Sequence, residues 1–279
     1  MTTKIHTIAA MIMMLMSLTL LAANHAKSRP QRIVSTGLCA DQLLLLIADR
    51  SQIASLSSFV TDPNMSYMID AVGDLPLNNS SVEEVIPYAP DLVVGSSFAA
   101  WDTTRFLRRL GYQVKLLSLP TTLEETYTLL RNFGEWTGNV ARAEVMIEQM
   151  KAEIRAIQSR HAHRPEKTVI VYSPNGYTIG ANTLENDILT KAGYRNLAAE
   201  MGIDGFQQIS LESLIAANPD LLYIDNNVIN SDSLASAYIT HPALERAVAQ
   251  KDYISIPTPL RICAGPMLTE AIAYMAARR

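Results

Sequence analysis

Ser81-Val82-Glu83-Glu84-Val85-Ile86, followed by Pro90-Asp91-Leu92-Val93-Val94, reappears later in the chain. The second copy is Ser210-Leu211-Glu212-Ser213-Leu214-Ile215, followed by Pro219-Asp220-Leu221-Leu222-Tyr223-Ile224. Matching positions lie 129 residues apart, as Ser81 against Ser210 and Pro90 against Pro219. In each copy a serine suits the cap of a short helix, and an apolar run bounded by Pro-Asp suits a buried strand. The same junction, once in each half, predicts two similar α/β lobes with one acidic residue at an equivalent surface position of each.

Outward from the repeat, strands alternate with helices. Apolar runs predict strands at 32–35, 52–56, 91–95 and 113–117, then at 168–172, 220–225 and 253–256. Helical stretches fall at 39–48, 101–110, 122–137, 184–191, 211–217, 233–238, 243–249 and 264–277. This alternation indicates βαβ units and parallel sheets, whose ligands sit beyond the carboxyl ends of the strands. Between the halves, Val140, Ala143, Ile147, Met150, Ile154 and Ile157 recur at steps of three and four. They form one apolar stripe on a helix of roughly 30 Å, the width of a small domain. Such a helix is either an ordinary packed helix or a stiff connector between lobes.

The first residues describe a leader. Lys4 and His6 precede an uncharged run from Ile8 to Ala23, followed by Ala26, Lys27, Ser28, Arg29 and Pro30. The run is shorter than the roughly 20 residues a membrane span needs, and the order matches a cleaved secretory signal. Cleavage after Ala26 leaves Asn24 at the −3 position, and an uncleaved anchor is the alternative reading. No cysteine precedes Cys39, so none is placed to carry lipid at a signal cleavage site. The formal charge of −4 gives no reason to expect nucleic acid or an anionic membrane as partner. Two cysteines remain, Cys39 after the first strand and Cys263 at the start of the last predicted helix. In an oxidising compartment they can form a disulfide or remain two buried thiols, and spacing leaves both open.

Several segments, taken in order, resemble one family. They are Arg32-Ile33-Val34-Ser35 with Cys39-Ala40-Asp41-Gln42-Leu43-Leu44, the Glu83 to Val93 stretch, and Leu110-Gly111-Tyr112-Gln113-Val114. Gly176-Tyr177-Thr178-Ile179-Gly180, Ala192-Gly193-Tyr194-Arg195-Asn196-Leu197 and Cys263-Ala264-Gly265-Pro266 continue the match. With these residues the chain resembles the substrate-binding proteins of ABC importers for iron-siderophore complexes, haem and cobalamin (class III periplasmic binding proteins). The resemblance implies an α/β fold of two Rossmann-like lobes joined by one long rigid helix. It divides the chain into a signal peptide (1–26), an N-terminal lobe (27–138), a connector helix (139–163) and a C-terminal lobe (164–279). It further implies a monomeric periplasmic carrier that holds a small-molecule metal chelate between its lobes and passes it to an ABC permease and its ATPase. No resident cofactor is implied.

The resemblance assigns permease docking to Glu83 and Glu212, one on each lobe. Each also sits in a first helical turn, where a negative charge favours the helix dipole by about 0.3–1 kcal/mol. For the ligand, Tyr177 and Phe206 match aromatics that cobalamin-binding relatives place beside the cleft. Phe98 and Trp101 follow the 91–95 strand in a loop expected to face it, and rigid aromatic faces suit flat chelates. Tyr67, Asn78 and Asn79 are candidates from neighbouring loops. Leu77 and Ser96 stand where cobalamin binders tend to have tryptophan, which weakens a cobalamin assignment. Arg261 is placed to meet an anionic group, with Arg105 as the other basic candidate. So few basic residues favour a neutral or weakly charged chelate, because a buried charge needs pairing.

Among the five histidines, His161 and His163 close the long helix, which reads as a solvated helix end rather than a metal site. An enzyme is the competing class. The chain has no P-loop, Gly-x-Ser-x-Gly elbow, His-Glu-x-x-His or Cys-x-x-Cys pattern, so no catalytic residues are assigned. Two lobes facing a cleft also describe many enzymes, and the fold alone does not separate the classes.

Overall fold

The computed structural model describes residues 29–96, 100–224 and 252–279. The leader at 1–26, Phe98, His241 and the predicted helices at 233–238 and 243–249 lie outside the described residues.

The first half holds β1 (Ile33–Ser35), β2 (Ile53–Ser57), β3 (Leu77–Asn78), β4 (Leu92–Ser96) and β5 (Val114–Leu117). They form one parallel sheet in the order β3-β2-β1-β4-β5. Helices α1 (Leu38–Ile47), α2 (Val82–Val85), α3 (Trp101–Arg109) and α4 (Leu123–Thr137) connect these strands or follow them. Helix α5 (Val140–His161) then leads to the second half. There β6 (Lys167–Val171), β8 (Tyr194–Asn196), β10 (Leu221–Tyr223) and β11 (Asp252–Ile254) form a parallel sheet ordered β11-β10-β6-β8. A separate antiparallel ribbon pairs β7 (Tyr177–Ile179) with β9 (Phe206–Gln208). Helices α6 (Leu184–Lys191), α7 (Leu197–Glu200), α8 (Leu211–Ala217) and α9 (Met267–Ala277) complete the second half as described.

The sequence repeat becomes a structural repeat at its turns. The Ser81 hydroxyl accepts from Glu84 N at 3.3 Å, and the Ser210 hydroxyl accepts from Ser213 N at 3.1 Å. Both therefore act as helix caps. After each helix the chain takes a left-handed residue, Ala89 with φ 45° and Asn218 with φ 46°. A buried proline follows, Pro90 or Pro219. Asp91 then accepts from Gln31 N at 2.7 Å and Arg32 N at 3.0 Å, and Asp220 accepts from Thr168 N at 2.7 Å. Each aspartate thus pins its strand to the start of the neighbouring one. The registers agree, since Leu92 pairs with Ile33 and Leu221 with Val169.

The two left-handed positions differ in cost. Asn tolerates φ > 0 better than Ala, whose Cβ crowds the following carbonyl. Ala89→Gly should therefore stabilise the protein by about 0.5–1 kcal/mol, a rise of roughly 1–3 °C in Tm, and Asn218→Gly by less. Differential scanning calorimetry checks this, and a lower Tm for Ala89→Gly would contradict it.

Central strands are buried on both faces, as parallel sheets require. In the first half, Val34 and Val93 pack with Val85, Leu107 and Val114 on the outer face. In the second, Ile170 and Leu222 pack with Tyr172, Ile209, Leu214 and Ile224. The inner faces differ, because Ile33, Leu92, Val94, Val169, Val171, Leu221 and Tyr223 all belong to one continuous core. Its filling comes from α1, α4, α5, α6 and α9, including Leu44, Phe133, Ile147, Met150, Leu189 and Ile272.

The predicted stripe of α5 is buried at Ala143, Ile147, Met150, Ile154 and Ile157, while Val140 stays exposed in the first turn. The halves are linked by more than this helix. Leu123 N donates to Asp187 at 2.7 Å, and Thr269 donates to Glu153 on α5 at 2.7 Å. A disulfide joins Cys39 on α1 to Cys263, which lies ahead of α9 rather than at its start. The helix begins at Met267 because Gly265 and Pro266 delay it.

Candidate functional site

The site lies beyond the carboxyl ends of β4 and β5, against loops of the second half. A cavity of about 430 Å³ is lined by Ser96 at the end of β4, by Leu117 at the end of β5 and by residues 118–121 after it. Cys39 and Leu43 of α1 also line it. The second half contributes residues 182–185 ahead of and within α6, Phe206 of β9, and Arg261, Ile262 and Ala264. This is the position expected for a ligand beyond the carboxyl ends of parallel strands. Leu43, Leu117, Leu119, Leu129, Leu184 and Ile262 give the cavity an apolar wall, while serine, threonine and asparagine side chains stand beside it. Arg261 and Glu185 are the ionisable side chains among the described lining residues. Such a wall suits an apolar body carrying polar edge groups.

Each half presents its residues through local geometry. Phe206 is 63% exposed on β9, and its neighbour across the ribbon is Ile179. Tyr177 pairs with Gln208, two positions along the same face, and is 43% exposed. Residues so placed on one face of an antiparallel pair lie within side-chain reach diagonally. The ribbon continues through Gly180, whose N–H donates to Gly205 O at 2.9 Å. A Cβ on Gly180 would sit 2.0 Å from the carbonyl oxygen of Ile203, so only glycine permits this approach. Tyr177 itself is not among the cavity-lining residues.

Asp41, in the first turn of α1, is fully buried and accepts from Ser57 N at 2.7 Å and from the Ser57 hydroxyl. Burial pushes its carboxyl up to about 7, against the lowering effect of hydrogen bonds from Ser35 and Ser57. Asp41 therefore fastens α1 to the end of β2.

Other candidates fall elsewhere. Trp101 is half-exposed on α3 and lines a separate hollow with Arg105, Arg108 and Arg109. Arg105 pairs with Asp102 at 2.9 Å. Asn78 is buried inside the first sheet, donating to Ser35 O, Leu56 O and the Ser55 hydroxyl, so its role is structural. Asn79 donates to Glu84, and its backbone N–H bond, before its side chain, holds that carboxyl below the usual range. Glu84 thus braces the loop, whereas Glu83 beside it is exposed, as is Glu212 at the equivalent position. The Tyr67 hydroxyl donates to Glu270 of α9, so this side chain links the halves. His161 and His163 stay at the end of α5, and the described residues contain no cluster of metal-binding groups.

The cavity residues that sequence reasoning passed over include Leu43, Leu119, Asn182 and Glu185. One usable signal was present: Leu117-Ser118-Leu119-Pro120-Thr121 follows a predicted strand, where α/β ligands gather.

Comparison with known proteins agrees with this architecture. The family model for periplasmic binding proteins matches residues 33–260. A cobalamin-binding protein of Halobacterium salinarum is 27% identical over 258 residues, covering 89% of this chain and 69% of the relative. An uncharacterized ABC transporter substrate-binding lipoprotein of Bacillus subtilis is 26% identical over 211 residues, covering 72% of this chain and 66% of the relative. The crystal structure of a periplasmic haem-binding protein from Pseudomonas aeruginosa shares the fold with a TM-score of 0.70 at 24% identity, over 89% of this chain and 92% of that one. With its two parallel sheets and a cavity lined from both halves, the chain belongs to the periplasmic binding protein family.

Proposed function

We propose that this protein is the periplasmic substrate-binding component of an ABC importer. It captures a metal chelate, an iron-siderophore or related complex, in the cavity between its halves and delivers it to the membrane permease. The observation that carries this reading is the largely apolar cavity with Phe206 at its edge and Arg261 in its wall. An apolar wall with few charges fits a chelate whose metal is already satisfied by its own ligands. The named role of the Bacillus relative supports the transporter assignment. Corrinoid or haem cargo is the second reading, supported by the cobalamin-binding relative and the haem-binding structural neighbour. Export by a cleaved leader at 1–26 would place the mature chain where such a carrier works. Among the described residues no helix is long and apolar enough to cross a membrane.

The test is a titration of the purified mature chain with a ferric siderophore, haemin and cyanocobalamin, followed by tryptophan fluorescence. One of these should bind one-to-one with a Kd of about 1 μM or tighter and be recovered unchanged. Chemical conversion of the bound compound would instead support a secreted two-lobed enzyme. Saturable binding of none of the three would remove the carrier reading for these cargo classes.

A further inference from the structure

Two ionisable side chains stand among the described residues of the cavity wall, and they are not equivalent. Arg261 donates through Nε to Ile256 O at 3.4 Å, so its guanidinium is engaged within the chain. Glu185 is half-buried in the same wall and has no hydrogen bond or ion pair among the described residues. Its backbone is firmly set. The Thr183 hydroxyl caps α6 by accepting from Asn186 N at 3.2 Å. Asp187 accepts from Leu123 N at 2.7 Å, which holds the start of α6 against the first half. Ile188 and Leu189 anchor the helix in the shared core. Neighbouring donors in the wall are already used. Thr121 donates its N–H and hydroxyl to Glu125 at 2.7 and 3.0 Å, and Asn182 donates to Asp204 at 2.9 Å. The Thr183 hydroxyl donates to Gly180 O at 2.9 Å. A helix N-terminus carries about half a positive charge, against which Glu185 and Asp187 set two carboxylates in the first turn of α6. An unpaired carboxylate beside an apolar wall is stabilised by a cation or donor brought to it and destabilised by an anion.

We propose that Glu185 is a specificity-determining residue of the cavity. It selects cargo whose edge presents a cationic or N–H donor group and disfavours cargo that presents carboxylates there. The proposal rests on the carrier reading and narrows its cargo. A hydroxamate chelate with a pendant ammonium, or a corrinoid edged with amides, gives the carboxylate a partner. Haem, with two propionates, and a ferric tricatecholate, with net negative charge, bring like charge towards it. An apolar wall does not separate such bodies by charge, so that discrimination falls to the carboxylate.

Two probe series, each one body with three end charges, isolate this effect. The first is ferrioxamine B, whose pendant amine is cationic, with its neutral N-acetyl and anionic N-succinyl derivatives. The second needs no natural cargo: dansylcadaverine, dansylamide and dansylglycine, followed by their own fluorescence in the apolar cavity. The purified mature protein should bind the cationic member of a series at least about tenfold more tightly than the anionic one, with the neutral member between. Glu185→Gln keeps the shape and removes the charge, and should compress that spread to less than about threefold. Preference for the anionic member, or a cation preference that survives Glu185→Gln, overturns the proposal. So does an equal shift of all three members in Glu185→Gln, which is what a purely structural role for the side chain would give. If the dansyl series shows the Glu185-dependent ranking while no ferrioxamine binds, the selectivity stands and the carrier reading fails for this chelate. Binding of no member of either series overturns the proposal, because the cavity then takes no apolar body of this kind.

Discussion

Changing Glu83 and Glu212 together to alanine should abolish cargo uptake by cells, while the purified double variant keeps its cargo affinity within about twofold. Both carboxylates are exposed at the second position of a helix whose first turn is capped by serine, Ser81 in one half and Ser210 in the other. The shared core and the cross-links between the halves hold the two sites at a defined separation, so a partner can meet both at once. A lone exposed ion pair contributes only about 0.2–1 kcal/mol. Two carboxylates desolvated together against basic side chains of a permease are a different case, because truncating one partner of a buried charge pair costs about 2–5 kcal/mol. The double change should therefore lower affinity for the permease by at least about a hundredfold, with each single change intermediate. Docking of the unaltered protein should weaken with added salt. Transport in cells and binding to reconstituted permease provide the two readouts. Loss of cargo binding in the double variant would place the carboxylates in the cleft instead of on the docking face.

The second large effect concerns stability. Cys39→Ser with Cys263→Ser removes a cross-link between residues 224 apart, most of the length of the 279-residue chain. Closing so long a loop restricts the unfolded chain severely, and loss of the bridge should cost about 2–5 kcal/mol. For a domain of this size that is a fall in Tm of roughly 5–15 °C. Thermal unfolding of the oxidised protein, the reduced protein and the double variant at one pH measures it. The two bridge-free forms should agree with each other, and a Tm unchanged from the oxidised protein would show that the core alone fixes the halves. A serine pair in an apolar wall adds a smaller desolvation cost, so Cys39→Ala with Cys263→Ala separates that contribution.

Much of the fold was legible because its signals are local. The runs at Ile33, Leu92, Val169 and Leu221 are apolar on both faces and became central strands. The step of three and four from Ala143 to Ile157 became the buried side of α5. Helices α6 and α8 occupy the positions expected of them, Leu184–Lys191 and Leu211–Ala217. The ribbon of β7 and β9 was not legible. Each strand has three residues, β9 is exposed throughout, and three residues are too few to show a period. The ribbon depends on the contact of Gly180 with the Ile203 backbone, which no local pattern announces.

The site divides in the same way. Phe206 and Arg261 were visible as residue types in suitable loops, and both line the cavity. Trp101 had equal claim from sequence, yet α3 turns it to a hollow formed with its own arginines. Asn78 had a claim as well, and the interior of the first sheet absorbs all its donors. Glu185 and Asn182 enter only because α6 begins opposite the end of β5.

The amino-acid sequence by itself determined the alternation of strands and helices, the duplicated capped junction, and hence a pair of like halves with Glu83 and Glu212 at matching places. Those features follow from side-chain periodicity and turn chemistry, which act within a few residues of one another. Tertiary structure alone decided that the halves share one core, that Cys39 meets Cys263, and that Phe206 rather than Trp101 stands at the cavity. Each of these is a contact between residues far apart in the chain, and its geometry exists only after the sheets and helices have packed.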